Sequence, residues 1–410
     1  MTGVEVQTFG CRLNLAEGES VRAAAGDADD LVIVNSCAVT AEAVRQAEKA
    51  VRRAHRDRPE ARIVVTGCAA QLEPDRFAAM PGVSRVIGNA EKLRPESYRP
   101  ASNAGVADIF ADRSAPAPAT SFADRSRAFV QVQAGCDHRC TFCIIPFARG
   151  HGRSVPAAVV VNRIAALVDA GAREVVLTGV DLTGYGAGLA EPLSLGQLVE
   201  RILRAVPGLA RLRLSSIDTV EIDPLLAELI GGEPRLMPHL HLSLQSGDDM
   251  ILKRMRRRHG RDVAIRTVTD LKARRPDLAI GADLIAGFPT ETAAMAANSL
   301  SLIEECDIVF AHVFPFSPRA GTPAARMPQV ELEVARKRAW ILREASAARR
   351  AAWLATLVGS RQRVLMERGG TGHAENFAKV RPATPEPDAG AIVELHIVAV
   401  DGDTLVGVPA

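Results

Sequence analysis

Six of the seven cysteines in this chain fall into two groups whose spacing suits metal chemistry. One group is a local C-x3-C-x2-C run, formed by Cys136, Cys140 and Cys143. The other is scattered, and each member directly follows a short apolar run that predicts a strand: Cys11, Cys37 and Cys68. Three thiolates per group suit an iron–sulfur cluster with one open iron, because a closed four-iron cluster or a structural zinc site normally takes four protein ligands. A zinc knuckle is the alternative for the local run, although zinc sites usually pair two C-x2-C or Cys/His halves.

Short β-branched runs alternate with helical stretches over residues 3–98, a pattern that indicates βαβ units around a parallel sheet. Ligands of such sheets collect beyond the carboxyl ends of the strands, and the three scattered cysteines fall at those ends. We therefore expect them to converge despite their distance in sequence.

A second series of strand-like and helical runs begins after Ala128 and contains six β/α repeats. Six repeats are too few for an eight-stranded barrel and predict an open partial barrel, whose sites lie at the carboxyl ends of the strands. A long helix leads to short, separated strands from about Gly359 onward, which predict a small antiparallel β-barrel. The predicted fold is α/β, with an N-terminal domain at 1–110, a linker at 111–123, a (β/α)6 barrel at 124–354 and the terminal barrel at 355–410.

Composition limits the class of protein. The 410 residues include 47% hydrophobic and 24% charged residues, which is ordinary for a globular chain. No apolar stretch reaches the roughly 18 to 20 residues that span a bilayer, and the N-terminus lacks a signal-peptide pattern, so we expect a cytoplasmic protein with no membrane partner. Seven widely spaced cysteines argue against a disulfide framework. The net charge of +2 requires any nucleic-acid contact to come from local basic patches.

The chain resembles the radical-SAM superfamily through GCDHRCTFCIIPFARG and the partial-barrel repeats that follow it. Together with the three-cysteine sheet domain and the terminal β-module (TRAM-like), these features resemble the methylthiotransferases over nearly the whole chain. The phrases that carry this resemblance are TFGCRLN, VNSCAVT, VTGCAAQ, LTGVDLTGYG, RLRLSSID, LHLSLQSGDD, GADLIAGFPTET and HVFPFSPRAGTPAARMP.

The resemblance implies two [4Fe-4S] clusters and S-adenosylmethionine (SAM). Cys136, Cys140 and Cys143 would hold the cluster that cleaves SAM to a 5′-deoxyadenosyl radical. A second group would hold an auxiliary cluster that carries sulfur: Cys11, Cys37 and Cys68. No catalytic side chain beyond the cluster ligands is implied, because the cofactors carry the chemistry while the protein orients them.

Residues at other strand ends are candidates for the SAM pocket: Thr178, Gly179, Asp181, Ser215, Gln245 and Gly287. Small residues would let the backbone approach the methionine moiety, and Asp181 would meet its ammonium group. Each has a structural alternative, since Gly179 and Gly287 suit tight βα turns and Asp181 suits a helix cap.

Within the family, TFGCRLN, LTGVDLTGYG and HVFPFSPRAGTPA most resemble the branch that modifies N6-threonylcarbamoyladenosine at position 37 of tRNA. The implied partners are that tRNA, an electron donor and a sulfur source. The alternatives are the branches acting on isopentenyladenosine in tRNA or on an aspartate of a ribosomal protein. A different class, a cluster-bearing RNA-binding or redox-sensing protein without turnover, also stays open.

Three further features have two interpretations each. His239 and His241 alternate along one strand and so share a face, where packing is the alternative to metal binding. The basic run at 253–261 suits either tRNA phosphates or a solvated helix face. The terminal module has a GHAENFAKV segment and candidate RNA contacts at Phe377, Lys379 and the Arg361/Arg363 pair, yet residues 355–410 carry five Lys/Arg against seven Asp/Glu. Cys306 is expected to be a buried small apolar residue.

Overall fold

The computed structural model describes residues 3–116, 120–121, 126–383 and 387–410. Over these residues the chain forms a parallel sheet, a partial β/α barrel, a long helix and a closed β-barrel. None of the helices in the described ranges is long and apolar enough to cross a lipid bilayer.

The N-terminal sheet has the strand order β1-β2-β3-β4, and all its pairs are parallel. The second strand is buried along its whole length, because helices cover both faces of the sheet. Thr40 caps the start of the helix at Ala41–Asp57, where its side-chain oxygen accepts a hydrogen bond from the Ala43 N–H at 3.1 Å. The elements are β1 (Val4–Thr8), α1 (Arg12–Ala25), β2 (Leu31–Ser36), α2 (Ala41–Asp57), β3 (Arg62–Gly67), α3 (Cys68–Leu72), α4 (Pro74–Ala78), β4 (Val83–Val86) and a 3-10 turn at Pro95–Tyr98.

The segment predicted as a linker contains a short strand, β5 (Thr120–Ser121), which pairs antiparallel with the first barrel strand. Residues 117–119 and 122–123 of the predicted linker lie outside the described part. The linker is therefore tied to the barrel sheet at one point at least.

The barrel is built from six main strands, as the repeats predicted. They form two sheets, of order β10-β9-β6-β5 and β11-β12-β13-β14, because Ser215 interrupts the third strand between β10 and β11. The strands are β6 (Arg127–Gln131), β7 (Gln133–Ala134), β8 (Arg153–Ser154), β9 (Glu174–Thr178), β10 (Arg211–Leu214), β11 (Ser216–Ile217), β12 (His239–Gln245), β13 (Ala279–Ala286) and β14 (Ile308–Pro315).

Helices cover the outer face of these strands and enclose the largest apolar core of the molecule. On the open side, α1 of the N-terminal domain reaches the barrel, where Ala16 packs against Phe129 and Val176. The first domain therefore covers the lateral opening. The helices are α5 (Ile145–Arg149), α6 (Ala157–Asp169), α7 (Leu195–Ala205), α8 (Pro224–Gly232), α9 (Asp249–Met255), α10 (Arg261–Arg274) and α11 (Ala293–Glu305), with 3-10 turns at Leu182–Gly184, Thr219–Glu221 and Pro323–Arg326.

The long helix α12 (Leu332–Thr356) leads into a closed barrel of order β15-β16-β17-β19-β18. Its pairs are antiparallel except β17 with β19, which is parallel, so the expected all-antiparallel arrangement is correct for four of the five contacts. The barrel has its own apolar core. Its strands are β15 (Arg361–Met366), β16 (Gly372–Ala374), β17 (Lys379–Pro382), β18 (Ile392–Asp401) and β19 (Thr404–Pro409).

Candidate metal and cofactor site

The local cysteine run lies in a loop between β7 and α5, at the carboxyl end of the first barrel strand. Gly135 opens this loop with φ +72°, and a side chain there would collide with the His151 carbonyl. The loop closes on itself, since the Cys136 N–H donates to the Gly150 carbonyl at 3.1 Å. Thr141 anchors the loop to α9 by donating from Oγ1 to the Arg254 carbonyl at 2.8 Å. Backbone geometry therefore gathers these three thiols.

A buried glutamine joins this loop to the end of the second strand. Gln133 donates from Nε2 to the Gly135 carbonyl at 2.8 Å, and its Oε1 accepts from the Val180 and Asp181 N–H groups at 3.0 and 2.9 Å. A side chain at Gly179 would crowd Gln133, which explains the glycine. The joined loops bring Asp181 Oδ2 to 3.8 Å from Cys136 Sγ.

Charged groups surround the local run. His138 Nε2 lies 3.0 Å from Asp181 Oδ2 and 3.5 Å from Glu221 Oε1, and these two carboxylates raise the pKa of His138 to about 10. Arg257 donates to Asp218 Oδ2 at 2.6 Å, and its Nη1 lies 3.9 Å from Cys140 Sγ. Positive and negative groups are thus paired with one another around these thiols.

The scattered cysteines converge at the carboxyl edge of the N-terminal sheet, as predicted. Burial raises the pKa of Cys37 to about 12, with further contributions from Cys68 and then Cys11, so the three thiols lie within electrostatic reach of one another. Gly10, at φ +91°, leaves room for Cys37, since a side chain there would collide with its Sγ. Three thiols in a glycine-lined cradle form a donor set that fits an iron–sulfur cluster.

The two cysteine groups are neighbours, since Cys68 packs in one apolar cluster with Ile144, the residue after Cys143. Burial raises the pKa of Cys143 to about 12, and Cys68 of the other group adds to that rise. Cys11 is solvent-exposed, yet the surrounding protein also raises its thiol pKa. Cys37 and Cys68 are buried, so Cys11 is the member of the scattered trio that solvent reaches.

A buried charged network lies directly behind the scattered group. Arg149 donates from Nε to Cys68 Sγ at 3.1 Å and also pairs with Glu17. Lys92 Nζ lies 2.6 Å from the same Glu17 carboxylate. Burial alone would raise the pKa of Glu17, but Arg149 and Lys92 outweigh it and lower the pKa to about 2.

The residues predicted for SAM lie at the carboxyl ends of the barrel strands, as their sequence positions require. Ser215 Oγ is buried with no hydrogen-bond partner among the described residues, and such an orphaned hydroxyl fits a pocket for a polar ligand. Gln245 has φ +68° beside an irregularity in β12. Gly287 is explained by packing, since a side chain would collide with Ala335 of α12. Their contacts with SAM stay predictions, as do those of Thr178, Gly179 and Asp181.

The two histidines of β12 have different surroundings. His239 stacks on Phe377 with ring centres 4.7 Å apart, which is the packing interpretation. His241 Nε2 lies 3.0 Å from Asp283 Oδ1, and His312 Nδ1 lies 3.3 Å from the same oxygen. His241 thus has two potential metal-ligating neighbours that sequence proximity did not reveal, and Asp283 partners both imidazoles.

The basic run divides into side chains that pair with carboxylates and side chains that are exposed. Three arginines of the run form ion pairs: Arg257 with Asp218 at 2.6 Å, Arg258 with Glu221 at 2.5 Å and Arg261 with Glu305 at 2.5 Å. Lys253 and Arg256 are exposed and keep the prediction of tRNA contact. Neither of the two interpretations from sequence anticipated that Arg257 of this run would lie beside Cys140.

The terminal module docks on the amino ends of the barrel strands. Arg213 donates from Nη1 to the Glu375 carbonyl at 2.8 Å, and Arg211 donates from Nη2 to the Arg363 carbonyl at 2.8 Å. Phe377 lies between His239 and His373 and faces the Arg127 guanidinium at 5.1 Å. Phe377 therefore packs against the barrel instead of presenting a surface to RNA, while Arg361 is exposed.

Sequence reasoning missed the polar residues that join the elements: Gln133, His138, Arg149, Glu17 and Lys92. His138 carried a signal, because it lies inside the cysteine run, and Asn14 with Glu17 forms a polar i, i+3 pair on an otherwise apolar side of α1. No sequence signal marked Lys92, since its partner Glu17 lies 75 residues away. Cys306, with no exposed surface in the barrel core, matches its prediction.

A partial barrel with a three-cysteine loop after its first strand defines a radical-SAM enzyme. Residues 130–303 match the Radical SAM superfamily, and residues 3–88 match a family described as Uncharacterized protein family UPF0004. A solved structure with the same fold is the radical SAM methyltransferase TsrM of Kitasatospora setae, with a TM-score of 0.53 and 14% identity over 76% of this chain and 70% of that one. SAM and one [4Fe-4S] cluster are therefore cofactors of this enzyme.

Curated relatives define the family more closely. The threonylcarbamoyladenosine tRNA methylthiotransferase MtaB of Rickettsia prowazekii is 46% identical over 92% of this chain and 90% of its own length. The MtaB of Thermotoga maritima is 37% identical over 80% and 77% of the two chains. The tRNA-2-methylthio-N(6)-dimethylallyladenosine synthase of Erythrobacter litoralis is 34% identical over 89% and 86%. The chain belongs to the radical-SAM methylthiotransferase family.

Proposed function

We propose that this enzyme attaches a methylthio group to C2 of N6-threonylcarbamoyladenosine at position 37 of tRNA. The relatives named for that reaction support it, since the identity of 46% to one of them exceeds the 34% to a dimethylallyladenosine synthase. The observation that carries the proposal is that α3, which begins at Cys68, packs against α5, which begins two residues after Cys143, because a methylthiotransferase needs a SAM-cleaving site and a sulfur site within reach of one substrate carbon.

The scattered trio would hold a second [4Fe-4S] cluster. The donor set supports this assignment, since three thiols share a glycine-lined cradle and a guanidinium lies 3.1 Å from Cys68 Sγ. A cluster bound there would supply the sulfur, and the SAM-side cluster would supply the electron that cleaves SAM. Thiolate ligands suit both clusters.

The chain's own residues bind and orient these groups. Asp181, beside Cys136, would receive the ammonium group of SAM, and Gln133 fixes its backbone through two hydrogen bonds. Ser215 Oγ, which lacks a partner among the described residues, would bond the same ligand. We further propose contacts from Thr178, Gly179, Gln245 and Gly287, with no catalytic side chain beyond the cluster ligands.

The partners of the reaction would be tRNA, an electron donor and a sulfur source, and the enzyme would act in the cytoplasm. The tRNA would approach from the side on which Cys11 is exposed. The end of the terminal module that carries Phe377 packs against the β/α barrel. Any RNA contact of that module would therefore come from its outer side, for example from Lys379 or Arg361.

Nucleoside mass spectrometry tests the substrate. We expect tRNA from a strain lacking this chain to lose 2-methylthio-N6-threonylcarbamoyladenosine and to recover it with the wild-type chain but not with Cys37→Ala. Unchanged levels of that nucleoside, with loss of the isopentenyladenosine derivative or of ribosomal-protein modification, would assign the enzyme to another branch. A reconstituted preparation that releases no 5′-deoxyadenosine from SAM would point to a sensor.

A further inference from the structure

Arg149 connects the two cysteine groups. It is the last residue of α5, six positions after Cys143, and its side chain is 4% exposed. Its guanidinium donates to Cys68 Sγ at 3.1 Å and to Asn14 Oδ1 at 2.6 Å, so a residue of the barrel domain contacts a ligand of the auxiliary trio. The segment that carries a SAM-side cysteine thus also supports the other group.

The network around Arg149 carries an excess positive charge. Arg149 and Lys92 are cationic, Glu17 is anionic, and all three are almost completely buried. Burying such an excess is costly unless an anion lies nearby. The thiolates of the auxiliary trio are the nearest candidates, and Cys68 is in direct contact with the guanidinium.

Within the described part of the chain, the SAM-side trio has no comparable neighbour. Arg257 lies 3.9 Å from Cys140 Sγ, and its charge is matched by Asp218 at 2.6 Å. Cys136 lies beside the carboxylate of Asp181 at 3.8 Å. Hydrogen bonds to cluster sulfurs and nearby charge set reduction potentials, so the two sites have different electrostatic surroundings.

We propose that Arg149 is a positioning residue that raises the reduction potential of the auxiliary cluster, through its charge and its hydrogen bond to Cys68. This deepens the proposed function and rests on its assignment of a cluster to the scattered trio. The reduced cluster carries more negative charge than the oxidised one, so a buried cation in contact with a ligand sulfur stabilises the reduced form. Arg149 does not touch the reacting atoms.

The test uses the full chain with the SAM-side cysteines replaced by alanine, so that bound iron reports on the auxiliary trio alone. The parent, R149Q, R149K, E17Q and R45Q are reconstituted without oxygen, and midpoint potentials are measured by redox titration followed by electron paramagnetic resonance. R149Q leaves Glu17 paired with Lys92 at 2.6 Å, so it creates no lone buried carboxylate. R45Q alters an exposed arginine of α2 and is the matched control.

We expect R149Q to shift the potential to more negative values, R149K to lie between R149Q and the parent, and R45Q to match the parent. E17Q should shift the potential in the opposite direction, because it removes the negative charge that offsets Arg149. Loosened packing alone would not give shifts of opposite sign.

The inference is overturned if R149Q has the parent potential at equal iron content, or if R149Q and E17Q shift it in the same direction. If R149Q holds no iron, the midpoint potential of E17Q is the deciding measurement. An E17Q potential that is not more positive than that of the parent then rejects the inference. If both variants lose iron while the parent keeps it, Arg149 serves assembly rather than potential. A parent that itself binds no iron would instead reject the auxiliary cluster of the proposed function.

Discussion

The two cysteine trios reach similar arrangements by opposite routes. The SAM-side trio spans eight residues of one loop, whose shape is fixed by Gly135 and by backbone bonds to neighbouring elements. The auxiliary trio is drawn from three strand ends between residues 11 and 68, and only the register of the parallel sheet brings it together. A local motif can be held by its own loop, whereas a scattered one depends on a folded domain and on a buried network behind it.

Their electrostatic surroundings differ in the same way. Around the SAM-side trio, positive and negative side chains are paired with one another, and Ser215 Oγ has no partner among the described residues. Behind the auxiliary trio, the charges are buried and a guanidinium contacts a ligand sulfur. The first arrangement leaves room for a polar ligand, and the second is suited to hold and tune a group that stays bound.

The largest expected effect separates the chemical roles of the trios. Cys140→Ala should abolish both 5′-deoxyadenosine release and methylthiolation, because both need the SAM-side cluster. Cys37→Ala should stop methylthiolation while SAM cleavage continues, since it removes only an auxiliary ligand. Liquid chromatography of 5′-deoxyadenosine and of digested tRNA measures both products. Methylthiolation that survives in Cys37→Ala would remove the distinction between the sites.

Gly10→Ala should break the auxiliary cradle alone. Its new side chain would collide with Cys37 Sγ, so we expect iron per chain to fall to the amount held by the SAM-side trio. Gly26→Ala is the matched control, because Gly26 also has positive φ but nothing within 4 Å of the added carbon. It should cost about 1 kcal/mol of stability and leave iron unchanged. Full iron loading of Gly10→Ala would contradict the steric role.

On the SAM side, neighbouring arginines should differ in their effect on folding. Arg257→Leu removes the shortest ion pair of the buried Asp218 carboxylate, which keeps only longer contacts with Arg258 and His259, and should reduce the free energy of unfolding by about 3 kcal/mol. Arg258→Leu removes a side chain that is 44% exposed and should cost less than about 1 kcal/mol. Urea denaturation of the metal-free proteins measures both. Equal losses would show that burial does not distinguish these two pairs.

The smallest effect concerns acid stability behind the auxiliary trio. Arg149 and Lys92 lower the pKa of Glu17 from 4.5 to about 2, so its contribution to stability is present above pH 4.5 and is lost as the pH falls towards 2. The metal-free protein should therefore lose about 2 kcal/mol more between pH 5 and pH 3 than Glu17→Gln does. Denaturant titrations at the two pH values test this, and parallel losses would exclude Glu17 as the source.

Much of this architecture followed from local patterns. The alternation of apolar strands with helices predicted the parallel sheet, the six-strand barrel and the terminal β-barrel, because period and turn residues are local properties. Two details of the fold were not predicted from the sequence. The parallel β17–β19 pair joins segments separated in sequence, and the strand at Thr120–Ser121 lies in a Pro/Ala-rich stretch that carries no periodicity.

The polar contacts were harder to predict than the fold. No sequence pattern distinguishes Gln133. It nevertheless holds the Asp181 backbone by accepting a hydrogen bond from its N–H, because two strand ends meet at that point. Phe377 resembled an exposed nucleic-acid contact and instead packs on the barrel, since the docking of one domain on another leaves no local signature in sequence. The pairing of Arg257, Arg258 and Arg261 with carboxylates was not predicted for the same reason.

The sequence by itself determined which side chains are proposed to carry the chemistry, because ligand type and spacing are local properties of the chain: two trios of thiols, each at strand ends. Only the tertiary structure decided that the trios are neighbours, that Arg149 contacts Cys68, and that Arg149 and Lys92 share the carboxylate of Glu17. Such contacts join residues 75 to 132 positions apart, and long-range charge pairing depends on how domains pack, which no local pattern records.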